Sequence, residues 1–292
     1  MRMLPEMAEG SALQWAMAQW SPILEARMAV IAGVAGYGGQ AVTALADPLA
    51  GLPTAATFVG VDPDGGSLSP TWTYTEAPYG FDSPLDLTDP ASWVGILPFV
   101  KLNGTDEYIS SPDAAWWTLA GGLSIEAWVW MPTGAANYPC LIGKWDDAAA
   151  AREWMLFYDC STAPPAQRLS FLIYDDVANA DIGRRVTPGL PPDTWHHIIA
   201  TWDGVGAAAN LRIYSDGIRV DDANTGGGGA FVAMQDTASA VTIGRRADLT
   251  NPSYYPGRVA GGGLCPIVTD TVIPPAEVAR LYRLGRQPLG LL

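Results

Sequence analysis

The stretch running from Thr194 to Val220, TWHHIIATWDGVGAAANLRIYSDGIRV, limits what this chain can fold into more than any other. Between Trp195 and Trp202 the side chains divide into Trp195, His197, Ile199 and Thr201 on one side and His196, Ile198, Ala200 and Trp202 on the other. Apolar and aromatic residues occupy both sets, which predicts a strand covered on both faces, as in the middle of a sandwich. Leu211, Ile213 and Tyr214 form a second β-rich run. Asp216-Gly217 then supplies the positive φ of a tight hairpin before Ile218, Arg219 and Val220 return. The unit reads as an antiparallel meander.

The rest of the chain repeats the pattern in short pieces. Strands are predicted at 99–102, 107–109, 123–131, 140–144, 154–158, 169–174, 183–186, 231–234, 240–243 and 257–268, and a closing helix at 275–284 with Gly285 as its stop. With 32 Gly, 24 Pro and only 16% charged residues, the composition favours turns over long helices. Many short strands separated by Gly, Pro and Asp indicate an all-β antiparallel sandwich. No internal repeat points to a propeller or solenoid.

The pattern of Trp195-His196-His197, three apolar residues, Thr201, Trp202, Asp203 and Gly204, followed by Leu211, Ile213, Tyr214, Asp216 and Gly217, resembles the laminin-G-like, concanavalin-A-like jelly roll. FVKLNGTDEYI from Phe99, LSIEAWV from Leu123, LIGK from Leu141, VTIG from Val241, PGRV from Pro256 and AEVARLY from Ala276 are similar to further strands of that family, in the same order. The resemblance implies a jelly-roll sandwich over 99–292 with a short C-terminal helix, preceded by an arm over 1–98.

The arm reads differently. Ser11 and Gln14 form a capping-box pattern, with Leu13, Met17, Trp20 and Leu24 along one helical face, and Ser21-Pro22 can start a second helix. From Pro48 to Pro98 prolines recur too often for long helices or central strands, so an extended segment with short edge strands is expected. Trp72, Tyr74, Tyr79, Phe81 and Trp93 are costly to leave in water. Leu13, Met17, Trp20, Leu24, Trp72, Tyr74 and Trp93 are therefore candidates for fastening the arm to an assembly. Residues 28–37 are apolar, but Glu6, Glu9 and Glu25 precede them, unlike a secretory leader, so the segment is expected to be retained. Gly33, Gly36, Gly38, Gly39 and Gln40 interrupt it as a membrane span.

Candidate chemistry is sparse. Formal net charge is -14, which argues against a nucleic-acid partner. Glycosidases of the wider group need two carboxylates on one strand face, and Glu107, Glu126, Glu153 and Glu277 lack an acidic partner at that spacing. Glu126 is expected to accept hydrogen bonds within the sheet. His196 and His197, adjacent on a strand, point to opposite sides and cannot chelate one metal. No enzyme is expected, and no cofactor.

Calcium is the one ion that the resemblance raises, with Asp106, Asp175 and Asp176 as candidates beside other turn aspartates. Where the family often carries an acidic pair, this chain has Ala260, Gly261, Gly262 and Gly263. Solvated turn aspartates are the simpler reading. Of three cysteines, Cys140, Cys160 and Cys265, at least one must stay unbridged, and a Cys140–Cys160 bridge is left open.

A carbohydrate site combines an aromatic platform with planar polar groups on a loop rim. Trp116, Trp117, Trp145, Trp154, Tyr254 and Tyr255 are platform candidates, with Asp146, Asp147, Asn179 and Asn251 as polar partners. Arg184-Arg185 and Arg245-Arg246 read as counter-ions to the acidic surface. The functional expectation is a non-enzymatic structural or attachment protein, such as a virion surface or decoration protein, assembled in the host cytoplasm in a capsid or tail-like particle and held by its arm. The choice of a virion rests on where such modules occur and on no motif. The alternative is a glycan-binding or adhesive module at an extracellular or cell surface.

Overall fold

The computed structural model describes residues 59–61 and most of 100–286, leaving out 106–107, 112, 114–116, 120, 136, 162–166, 248–252 and 261–266. The helical stripe of Leu13, Met17, Trp20 and Leu24, and Trp72, Tyr74 and Trp93, lie outside the described residues.

Fifteen strands, one α-helix and a short 3-10 helix (Ala208–Asn210) make up the described structure: β1 Val59–Val61, β2 Val100–Lys101, β3 Tyr108–Ser111, β4 Leu123–Trp130, β5 Cys140–Asp146, β6 Ala151–Asp159, β7 Arg168–Asp175, β8 Ala180–Arg185, β9 Trp195–Trp202, β10 Leu211–Ser215, β11 Ile218–Arg219, β12 Ala223–Gly226, β13 Val241–Ile243, β14 Arg258–Ala260, β15 Ile267–Thr269 and α1 Pro275–Arg286. They form two antiparallel sheets. The larger runs β1-β3-β13-β5-β6-β7-β8-β12; the smaller runs β11-β10-β9-β4-β14-β2, with β15 also paired to β4. This is the jelly-roll sandwich expected from the sequence.

The meander sits where its pattern places it. β9 is buried at every position, and it lies between β10 and β4. Asp216 (φ 55) and Gly217 (φ 83) take the two left-handed positions of the hairpin, which glycine and aspartate tolerate best. Between the sheets, Trp117, Trp154, Trp202, Tyr158, Tyr255 and Phe171 are among the largest side chains fully removed from water.

The outer face of the smaller sheet is covered in turn. Val278 and Leu281 of α1 pack on Ile199 and Tyr214, and Tyr282 stacks against Trp128 (5.9 Å) and His197 (6.0 Å). That cover explains why β9 reads as apolar on both sides.

Three expectations need correction, and one strand was not expected. Residues 231–234 form no strand, because the N–H groups of Val232 and Ala233 are taken by the Asp175 carboxylate (2.8 and 3.1 Å) instead of a ladder. The larger sheet ends on Ala223–Gly226, a half-exposed strand whose Asn and Gly carry little β signal. The predicted strand over 257–268 is two short strands, both hydrogen-bonded to β4. Helix α1 continues through Gly285 to Arg286, since one glycine costs a helix only about 1 kcal/mol. Val59–Val61, inside the expected arm, is the short edge strand beside β3.

No disulfide joins Cys140 to Cys160. Both are buried thiols, the Cys140 Sγ faces the Leu156 carbonyl (4.0 Å), and burial pushes the Cys160 thiol up to about 11.

Candidate functional site

The two ends of the sandwich carry different loops. At the end where β4 runs into β5, three loops line a half-open cavity of about 250 Å³. Gly104, between β2 and β3, forms one wall; Gly134, Ala135 and Asn137, between β4 and β5, form the second; Ser253, Tyr254 and Pro256, between β13 and β14, form the third. Gly104 (φ 75) packs so closely on Pro256 that a Cβ there would lie 2.4 Å from the proline Cβ, so only glycine lets these two walls meet.

Each wall is fixed by its own bonds. The Asn137 carbonyl accepts the Cys160 N–H (2.8 Å), and the Ser253 carbonyl accepts the Cys140 N–H (2.9 Å). Asp193 accepts from the Thr133 N–H (3.0 Å) and from its hydroxyl, and those bonds hold the Asp193 carboxyl below its ordinary range. Gln167 donates to the Pro132 carbonyl (2.6 Å). The β4–β5 loop is thus held from both sides before any ligand arrives.

Tyr254 is the aromatic wall. Its hydroxyl lies 3.4 Å from Arg245 Nη1, and its ring sits 6.4 Å from that of Tyr108. The Arg245 guanidinium stacks over Tyr108 (3.7 Å) and donates to the Ala247 carbonyl (3.2 Å), forming a cation–π support behind Tyr254. Burial pushes the Tyr108 phenol up, against the pull of Arg245. Beside Asn137, Tyr138 is 46% exposed, with its ring against Phe157. Asn137 and Tyr254 thus line one cavity, and the exposed ring of Tyr138 lies next to Asn137.

The sequence candidates separate clearly. Tyr254 lines the cavity. Trp117 and Tyr255 are fully buried between the sheets and offer no face to a ligand, and Trp154 is likewise core. Trp116, Asn251 and Asp106 lie outside the described residues.

Trp145, Asp146 and Asp147 lie at the other end, where Trp145 meets Tyr174 edge-on (5.2 Å) and donates its Nε1–H to Asp147 (2.9 Å). Arg246 pairs with Asp147 (2.6 Å), Arg152 covers the Tyr174 ring (4.1 Å) and bonds Asp176 (2.7 Å), and Asn179 accepts from Tyr174 Oη (2.6 Å). Planar polar groups do surround rings here, but the rings are covered by the chain's own side chains: Trp145 is 6% exposed. Asn137, Tyr138 and Gly104 were not singled out in the sequence. An Asn-Tyr-Pro turn between two strong strands is the signal that could have drawn attention to them.

Of the calcium candidates, Asp175 accepts from the N–H groups of Ala178, Val232 and Ala233, and Asp176 pairs with Arg152. Burial pulls the Asp175 carboxyl up, yet those donors outweigh it and hold it below the ordinary carboxylate range. Among the described residues no group of three His, Cys, Asp or Glu side chains could hold a metal ion. Glu126 accepts from His197 Nε2 (2.9 Å) under α1, while His196 Nδ1 faces Asp216 (2.9 Å). The two histidines engage different partners, as their alternation requires.

A family model described as the concanavalin A-like lectin/glucanases superfamily matches residues 103–261. Among solved structures, the binding domain of botulinum neurotoxin serotype D is similar at 10% identity and a TM-score of 0.51, covering 85% of this chain and 52% of its own. The binding domain of botulinum neurotoxin DC, in complex with SialylT, matches at 9% identity and a TM-score of 0.48, covering 83% and 50% respectively. Domain 4 of an extracellular arabinanase from Geobacillus stearothermophilus, in complex with arabinotriose, matches at 13% identity and 0.44, covering 63% and 76%. At these identities the likeness is one of fold, and the chain spans about half the length of the toxin binding domains. Among curated protein sequences, none matches this chain. No helix among the described residues is long and apolar enough to cross a membrane.

Proposed function

The chain belongs to the concanavalin A-like lectin/glucanase superfamily, and from that premise we propose that it is a non-enzymatic, lectin-like module whose glycan enters the cavity beside Tyr254. The observation that carries this reading is the cavity itself, where an aromatic wall and an amide converge on loops fixed in advance. Sugar rings present apolar C–H faces edged by hydroxyls, which suits a phenol ring beside an amide that both donates and accepts.

Absence of catalysis is part of the proposal. Glu126 is engaged by His197 beneath α1, and Glu153 is engaged by Lys144 and Thr237 inside the sandwich; neither lines the cavity. Binding is taken to be independent of calcium, since Asp175 and Asp176 are occupied by donors of the chain itself. Anchoring to an assembly through residues 1–98 rests on the sequence of that arm alone, and a virion as that assembly rests on where such modules occur. It would supply a setting for the module without changing how a sugar is held.

A glycan array probed with the full chain, in calcium and in chelator, tests the reading. Hits are expected in both, and Tyr254→Ala is expected to weaken the best of them at least tenfold, about 1.4 kcal/mol, with the melting temperature little changed. An array without hits overturns the reading. So does hydrolysis of a polysaccharide that is lost in Glu126→Gln.

A further inference from the structure

We infer that the cavity beside Tyr254 selects the uncharged terminal sugar of a glycan and accommodates one ring of it, a reading that rests on the lectin-like function proposed above. Size argues for a single ring. Sites that enclose drug-sized ligands run to about 300–1,000 Å³, and this cavity is about 250 Å³. A cavity with room for one ring suits the end of a chain, where one ring has a neighbour on a single side.

Charge argues for a neutral ligand. Among the described residues, those lining the cavity are Gly, Ala, Asn, Ser, Tyr and Pro, with no charged side chain among them. A carboxylate or sulfate placed there would lose part of its water without gaining a counter-ion from the described lining. The cation behind the wall, Arg245, is already committed: it stacks on Tyr108, bonds the Ala247 carbonyl and supports the Tyr254 hydroxyl, and it is 6% exposed. Asp193, bonded to Thr133 next to Gly134, adds a negative charge beside the β4–β5 wall. The chain as a whole carries a formal charge of -14, which further disfavours the approach of anions.

Neutral recognition has a positive side too. Asn137 holds its backbone in the left-handed region (φ 63), a conformation that asparagine tolerates better than most residues. Its amide and the Tyr254 hydroxyl can exchange hydrogen bonds with sugar hydroxyls without either partner being ionised.

The test uses matched glycans on the full chain: a set ending in a neutral sugar, the same set capped with sialic acid or sulfate on that sugar, and longer chains carrying the same sugar only internally. Expected is binding to the neutral-ended set, at least a tenfold loss on capping, a similar loss when the sugar is internal, and competition by the methyl glycoside of the terminal sugar. Equal binding to capped glycans, or binding to acidic glycans alone, overturns this inference while leaving the lectin-like reading intact. Equal binding to internal sugars overturns the end-recognition half. Failure to bind any of the three sets overturns the lectin-like reading itself, and the inference falls with it.

Discussion

Lys144→Met is expected to lower the free energy of unfolding by about 3–5 kcal/mol, the range for removing one partner of a buried ion pair. Lys144 and Glu153 both have fully buried side chains and are paired to each other. The arrangement begins with an irregularity in the larger sheet. Lys144 registers with Trp154 and Trp145 with Arg152, so Glu153 is an extra residue opposite that step.

The bulge lets Glu153 Oε1 reach Lys144, and the Thr237 N–H (2.7 Å) and hydroxyl (2.8 Å) donate to the same oxygen. The Lys144 ammonium in turn reaches Asp113 (2.9 Å) and Asp236 (3.4 Å), one from the β3–β4 loop and one from the β12–β13 loop. Burial pulls Lys144 down, but the Glu153 and Asp113 carboxylates outweigh it and hold its ammonium above the ordinary value. Without Lys144, Glu153 is a buried carboxylate without its cation. The double variant Lys144→Met with Glu153→Leu is therefore expected to be more stable than Lys144→Met alone, as read from urea midpoints at constant slope. A single variant that melts like the parent would show that the pair is not buried.

Tyr255→Ala is expected to cost a similar amount, about 3–5 kcal/mol, and to abolish glycan binding. Tyr255 is fully buried, stacks on Tyr158 (6.2 Å) and donates its hydroxyl to the Trp130 carbonyl (2.9 Å). Its backbone N–H goes to the Gly244 carbonyl (2.8 Å), so it anchors the segment that carries Ser253, Tyr254 and Pro256. Removing the ring leaves a cavity in the core and frees the third wall of the site. Tyr255→Phe keeps the ring and loses only the hydroxyl, at about 1 kcal/mol, and is expected to bind as the parent does. If Tyr255→Ala were to bind normally, Tyr254 would not be the wall on which the ligand rests.

The fold was legible because its information is local and redundant. Alternation along β9, the Asp216-Gly217 turn and the LSIEAWV run of β4 each specify a strand or a turn without reference to the rest of the chain, and the structure pairs them as expected. Misses fell where long-range bonds decide. Residues 231–234 have the composition of a strand, yet Asp175, far away in sequence, takes their N–H groups. Ala223–Gly226 lacks β-branched residues apart from Thr225 and is a strand because β8 offers it an edge.

The candidate site was legible in one residue, Tyr254. Aromatic residues alone do not reveal which face reaches water. Trp117 and Tyr255 lie between the sheets, and Trp145 is covered at the opposite end, although all were equal candidates by type. The features that make the cavity are a glycine packed on a proline, an asparagine in the left-handed region and three loops separated by long stretches of sequence. Convergence of that kind is a property of the folded sandwich.

A crystal structure of the full chain with the tightest-binding neutral glycan of the array tests the central claim most directly. The account predicts one terminal sugar ring lying against Tyr254, with its hydroxyls on the Asn137 amide and the Tyr254 hydroxyl. A glycan seated instead on the Trp145–Tyr174 corner, with the cavity between Gly104 and Tyr254 unchanged, would contradict it.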